Sequence, residues 1–338
     1  MQTDERWSAG SALRDARLRL AARPAPDDLA QHLGERYGLA VTGLTELDLG
    51  VYRVDHAGGP AWVARVFPPI RPHTAAAGDA QILQLLADRG YGSERLARPD
   101  PVSETDGHAV VVTEYVDGVP RSERREVIRE VGGLRRLGEM LGELHAMRDG
   151  ADPAFRPGGG WHHLVDGSPQ DEISAARQLL ADCEASVADA DHEHYETLHR
   201  ELYDLDDGAG LPEALLHPDF VLANVVASRE QGMVLVDWTG TGRGPRLWPL
   251  AFLLFAEGAR DPRRVDLVAA GYRRHIALEA DEISRLEHMI PARPVVLDVW
   301  NYCLGRVSAH QAAHAATAAR ATAEVVAARA VPIVASRG

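Results

Sequence analysis

The chain has 338 residues, 50 of them Asp or Glu and 36 Arg with no lysine at all, so its formal net charge is −14. At about 100–200 residues per domain the length suggests two domains or lobes, and 45% hydrophobic with 25% charged residues is an ordinary globular composition that excludes a disordered chain. The acidic balance repels phosphate backbones and disfavours a nucleic-acid partner, while the missing lysine excludes a G-x-x-x-x-G-K-[ST] phosphate loop, a lysine Schiff base and a Ser-x-x-Lys nucleophile pair.

Residues 1–26 are polar and Ala/Arg-rich, with room for one loose helix, and Arg14, Arg17 and Arg19 break every apolar run that a signal peptide needs. Asp27 and Asp28 can cap a helix that runs to about Tyr37. Val51, Arg53 and Asp55 alternate with Tyr52 and Val54, Gly58-Gly59-Pro60 makes a turn, and Trp62 to Phe67 follows, which reads as two strands joined by a hairpin. Residues 75–90 read as a helix with Ile82, Leu83, Leu85 and Leu86 on its apolar face and Gly90 at its end. A proline-punctuated connector leads to His108–Val116, a buried strand that Asp117-Gly118 turns away.

From Arg124 onward helices dominate: Leu134, Leu137, Leu141 and Leu144 recur at helical spacing with Met140 beside them. Residues 149–170 form a Gly/Pro/Asp-rich loop and residues 171–203 a polar helical stretch. Residues 215–238 hold two short apolar strands around a polar turn, and residues 247–330 are helical, with Ala309–Ala330 expected to pack as a terminal helix. Cys183 and Cys303 are too few and too distant for a metal cluster and read as packed thiols. No run of about 18 apolar residues is present, so no membrane span and a cytoplasmic location are expected. The organisation is α+β in two lobes: an N-terminal helical extension over 1–34, a nucleotide-binding N-lobe of antiparallel sheet plus one helix over 35–117, and a mainly helical C-lobe over 118–338.

The chemistry concentrates in Leu215-Leu216-His217-Pro218-Asp219-Phe220-Val221-Leu222-Ala223-Asn224-Val225-Val226 and Met233-Val234-Leu235-Val236-Asp237-Trp238. His217, Asp219 and Asn224 share one short loop, and Asp237 ends the next strand, so two carboxylates and an amide oxygen meet at one end of a hairpin. Hard oxygen donors of this kind suit Mg²⁺, and Asp219 is left to accept a proton from an attacking hydroxyl. Metal ligands, a positioning base and a nucleotide cradle are the minimum set for phosphoryl transfer.

H-x-D-x-x-x-x-N followed by an apolar strand and Asp-Trp resembles the aminoglycoside phosphotransferase family, a branch of the bilobal protein-kinase-like fold. Pro218 stands where the family has glycine, and the Asp219–Asn224 spacing and the later Gly244-Pro245 agree with it. The resemblance implies ATP, with GTP possible, as phosphate donor and Mg²⁺ as metal. It makes Asp219 the catalytic base or hydroxyl-orienting group, Asn224 and Asp237 the metal ligands, and His217 a residue of the catalytic loop that braces it by hydrogen bonds. In the N-lobe it places Arg65, in Val63-Ala64-Arg65-Val66, on the α/β-phosphates, where a guanidinium binds bidentately. Asp79 matches the acid that fixes this base, the alternative being a solvated helix-face aspartate. The backbone of Glu114 and Val116 is implied to read the adenine edge. Gly50 is the only glycine available to the phosphate-covering loop, which is short and carries Leu47, Asp48 and Leu49. Pro249 replaces an aspartate that braces the catalytic loop in the family, with Arg246 or Trp248 as candidates to compensate.

Other clusters carry weaker chemistry. In His192-Glu193-His194 the two rings splay apart on a helix, so a solvated face with His199 is expected there. Trp161-His162-His163 suggests an anchoring tryptophan near the substrate side. Gly240, Gly242 and Gly244 lack the dinucleotide-binding spacing. The expected function is phosphorylation of a hydroxyl on a small molecule, such as a cationic aminoglycoside antibiotic. The alternatives are a metabolite kinase for amino-alcohols, sugars or nucleoside-like compounds, and a non-catalytic nucleotide-binding or scaffold protein. A monomer or dimer without nucleic-acid or membrane partners is expected.

Overall fold

The computed structural model describes residues 23–69, 71–120, 122–147, 156–160 and 167–335. Most of the expected helix over 1–26, and Trp161, His162 and His163, lie outside the described residues.

Helix α1 (Pro26–Tyr37) has proline in its first turn and ends at Gly38, whose left-handed φ of 68° lets the chain leave the helix. Strands β1 (Val41–Asp48), β2 (Val51–His56) and β3 (Trp62–Val66) follow, then helix α2 (His73–Asp88) and strands β4 (Val102–Thr105) and β5 (His108–Glu114). They form one antiparallel sheet in the order β1-β2-β3-β5-β4. The expected two-stranded hairpin is therefore three strands: β1 is an edge strand with little buried surface, so its sequence carries no clean alternation. β4 lies inside the proline-punctuated connector.

Both faces of the sheet are covered. Leu29 and Leu33 of α1 pack with Tyr52, Val54, Ala64, Val110 and Val112 on one face. Ala76 and Ala80 of α2 pack with Phe67, Ala109 and Val111 on the other. Burial on both sides explains why β5 reads as a continuous apolar run. It also ties α1, which crosses position 34, to the sheet core.

The second lobe begins with α3 (Arg124–Glu130) and α4 (Gly133–Ala146), and Leu134, Leu137, Met140, Leu141 and Leu144 are buried as the spacing predicts. Helices α5 (Pro169–Cys183) and α6 (His192–Tyr203) precede strand β6 (Glu213–Leu216). The hairpin β7 (Val225–Ser228) and β8 (Gly232–Leu235) comes next, then β9 (Gly242–Pro245), which pairs antiparallel with β6. Helices α7 (Leu247–Gly258), α8 (Arg263–Tyr272), α9 (Ala280–Met289), α10 (Ala292–Cys303) and α11 (Ala309–Val334) complete it. On α11 the buried face is Ala312, Ala316, Ala319, Ala323 and Ala330, small side chains that let a long helix lie close to its neighbours. Among the described residues no helix is long and apolar enough to cross a membrane.

β9 was expected only as a glycine-rich segment. Its glycines let a second backbone lie on it: a Cβ at Gly158 would sit 2.3 Å from Gly242 Cα. Gly158 N–H donates to Arg243 O at 2.9 Å, and Arg243 N–H donates to Arg156 O at 2.9 Å. The two lobes meet where residues 92–94 run beside β8: Leu235 N–H donates to Gly92 O at 2.8 Å and Glu94 N–H to Leu235 O at 3.1 Å.

Candidate active site

The site is the loop between β6 and β7, closed by the residues just after β8. His217 is fully buried and holds the loop through both ring nitrogens. Its Nδ1 accepts Asp219 N–H at 3.1 Å, so the proton sits on Nε2, 3.1 Å from Val236 O. Its ring also meets Trp238 edge-on at 4.7 Å. His217 thus orients the loop from behind.

Asn224 closes a short 3-10 turn, Leu222–Asn224. Its amide nitrogen donates to Asp219 O at 2.8 Å and to Asp219 Oδ2 at 3.0 Å. That fixes the direction of the amide and leaves its oxygen on the side away from Asp219. Val236 N–H donates to Asn224 O at 2.9 Å, which stitches the loop to the strand that delivers Asp237. Arg124 donates to Leu222 O at 2.6 Å and Val225 O at 2.9 Å, so helix α3 also holds the turn.

Asp237 has φ of 70°, one of two non-glycine residues with positive φ in the described chain. Such a conformation costs energy and persists where surrounding contacts enforce it, often at functional sites. Glu94 enforces it here: Asp237 N–H donates to Glu94 Oε1 at 2.9 Å, and Glu94 Oε2 accepts Thr113 Oγ1–H at 3.0 Å. Glu94 is buried in a connector with no motif, and sequence reasoning missed it. The Asn224 amide oxygen and the Asp237 carboxylate are two hard oxygen donors at one end of the β7–β8 hairpin. This donor set fits Mg²⁺.

Arg65 lies on β3 facing this point, and its Nη1 donates to Asp237 Oδ1 at 2.7 Å. Burial pulls its guanidinium down, but Asp237, Glu94, Asp79 and Asp48 outweigh that and leave it above the ordinary arginine value. The expected Arg65–Asp79 pair is corrected. Asp79 is buried, neither solvated nor the ion-pair partner of Arg65. Its Oδ2 takes Arg71 Nη2 at 2.6 Å, and its Oδ1 takes Arg156 and, at 3.2 Å, the Gly240 N–H. The side chain is one methylene short of a glutamate, and Arg71, fully buried over the Phe67 ring, lies closer. Asp79 therefore joins helix α2, residue 156 and the chain after Asp237.

Gly50 is the buried corner of the two-residue β1–β2 turn: its carbonyl accepts Val66 N–H at 2.7 Å, and its own N–H points to Glu46 at 3.5 Å. A Cβ there would lie 2.7 Å from Val66 O, and φ is 73°, so the turn requires glycine. Leu47 and Leu49 stand exposed beside it. At the lobe crossing, Glu114 N–H donates to Arg95 O at 2.8 Å. Val116 is half-buried at the start of the connector to α3.

Thr241, fully buried, donates its hydroxyl to Leu216 O at 2.5 Å, immediately before His217. Of the two residues named as candidates to compensate for Pro249, Arg246 pairs with Glu282 at 2.6 Å, and Trp248 Nε1–H donates to Gly159 O at 3.1 Å. A last unpredicted side chain, Arg293 of α10, reaches Asp219 Oδ1 at 3.2 Å.

Residues 43–284 match the model of the phosphotransferase enzyme family. A comparison with curated protein sequences gives no match. Among solved structures the chain resembles amicoumacin kinase hAmiN in complex with AMP-PNP, Ca²⁺ and Ami, at 13% identity and TM-score 0.59, over 92% of this chain and 95% of that one. It resembles an aminoglycoside phosphotransferase from Alicyclobacillus acidocaldarius at 17% identity and TM-score 0.58, over 93% and 97% of the two chains. Choline kinase LicA from Streptococcus pneumoniae gives 14% identity and TM-score 0.57, over 87% and 97%. At these identities the likeness is one of fold, the bilobal kinase-like arrangement described above.

Proposed function

The chain belongs to the phosphotransferase enzyme family, and on that premise we propose that it transfers the γ-phosphoryl group of ATP to a hydroxyl of a small molecule. The observation that carries the proposal is that Asn224 is bonded to Asp219 through its side chain and to Val236, the neighbour of Asp237, through its backbone carbonyl. In the reaction the acceptor oxygen bonds to the γ-phosphorus, the β–γ bridging P–O bond breaks, and its electron pair leaves with ADP. Asp219 orients the hydroxyl and takes its proton, which then passes to solvent. Asn224 and Asp237 would hold Mg²⁺, which would supply charge neutralisation for the phosphates. Arg65 exchanges its contact with Asp237 for the α/β-phosphates, and the Glu114 carbonyl and Val116 hold the base. GTP is a second donor to test. His217 acts by positioning Asp219.

The first acceptors to test are cationic aminoglycosides, since a net charge of −14 favours a cation and an aminoglycoside phosphotransferase shares the fold. Amino-alcohols form the second reading, favoured by the likeness to a choline kinase. The test is a coupled ADP-release screen over both classes, with Asp219→Asn alongside. Turnover that falls by about 10²–10⁴ in Asp219→Asn, with Mg·ATP binding kept, supports the assignment. No turnover with any acceptor and no ATP binding would instead support a non-catalytic scaffold.

A further inference from the structure

Arg293 stands where local rules disfavour a cation. It is the second residue of α10 (Ala292–Cys303), at the end of a helix where the backbone dipole repels positive charge. Its side chain is only 13% exposed. Burial pulls the guanidinium below the ordinary arginine value, and Asp219, Glu172 and Asp237 pull it back. Arginine stays charged under such conditions. A buried charge placed against the helix dipole is the kind of local conflict that marks functional sites.

Its placement points to what it serves. Nη2 lies 3.2 Å from Asp219 Oδ1, while Asp219 Oδ2 is held by Asn224 at 3.0 Å. The guanidinium is seated over the Phe252 ring, 5.1 Å from its centroid, which fixes its plane. Arg293 is also within electrostatic reach of Asp237. The transferring group must pass between the metal ligands and the hydroxyl held by Asp219. Arg65 is bonded to Asp237, on the metal-ligand side of that path, and Arg293 to Asp219, on the hydroxyl side.

We propose that Arg293 is a catalytic residue that contacts the γ-phosphoryl oxygens as they move from ADP to the acceptor. This role rests on the phosphotransferase reading above. In a loose phosphoryl-transfer transition state negative charge is spread over the equatorial oxygens, and a fixed cation there acts without reorganisation. Arg293 transfers no proton; its five N–H groups can keep Asp219 oriented while binding a phosphoryl oxygen.

The test uses Mg·ADP with aluminium fluoride, a mimic of the transferring group, and calorimetric ADP affinity for the full chain, Arg293→Gln and Arg293→Lys. In the wild type aluminium fluoride should tighten ADP binding about tenfold or more. Arg293→Gln should bind Mg·ADP alone like the wild type but lose that tightening, and Arg293→Lys should keep part of it. Equal tightening in Arg293→Gln, or none in the wild type, overturns the role of Arg293. If Arg293→Gln does not fold, Arg293→Lys decides: reduced tightening supports the role, and full tightening overturns it. A wild type that binds no Mg·ADP overturns the phosphotransferase reading together with it.

Discussion

Asp79→Ala is expected to destabilise the protein by about 3–5 kcal/mol, the range for removing one partner of a buried ion pair. The Asp79 side chain is 5% exposed and that of Arg71 is 0% exposed, so the remaining guanidinium cannot reach water without local unfolding. Arg156, at 17%, has a route to solvent and contributes less of the loss. Asp79→Asn keeps the shape and one acceptor oxygen but removes charge from three hydrogen bonds, so about 2–3 kcal/mol is expected. Urea unfolding followed by tryptophan fluorescence should show lower midpoints at unchanged slope. Replacing Arg71 by Met and Asp79 by Leu together should recover much of the loss, because the buried charge goes with its partner. A change within about 0.5 kcal/mol for Asp79→Ala would refute the reasoning and restore a solvated helix-face aspartate.

Arg65→Ala should weaken ATP binding by about 10–100-fold, from the loss of about 1.5–3 kcal/mol of charged hydrogen bonding, and unchanged affinity by calorimetry would mean that the N-lobe site is misread. Thr241→Val keeps the side-chain shape but leaves Leu216 O without its hydroxyl donor, so a stability loss of about 1–3 kcal/mol in urea is expected; an unchanged midpoint counts against the brace. His145, bonded to the Tyr272 hydroxyl at 3.0 Å, is held at about 3, below its ordinary 6.5, by burial and then by Arg246. Its unfolded form binds a proton that the folded form refuses, so the stability it contributes is complete above pH 6.5 and is lost as pH falls toward about 3. About 2 kcal/mol should go between pH 6.5 and 5, and His145→Gln should flatten that dependence; equal slopes for the two proteins would remove His145 as the cause.

The chemistry-bearing loop was legible because its signal is local. His217, Asp219 and Asn224 lie within eight residues, and Asp237 follows one short hairpin later, so spacing alone brings them to one end of it. The helices were legible where one face is apolar, as in α4. The strands that went unread are those without a pattern: β1 is an exposed edge, β4 is four residues long, and β9 is Gly-Arg-Gly-Pro.

The opening composition keeps its force in one respect. With no lysine in the chain, every strong base at the site had to be arginine, and the structure places three near it: Arg65, Arg124 and Arg293. Sequence determined the residue types, the order of the elements and the convergence of the loop with Asp237, because these depend on neighbours along the chain. Tertiary structure decided which charges meet. Arg65 pairs with a residue 172 positions away and Asp79 accepts from Gly240, 161 positions away. Glu94, Thr241 and Arg293 are brought to the site from separate elements. An ion pair at close range is set by the packing of elements and by which guanidinium lies nearest, and no periodicity or spacing along the chain encodes that distance.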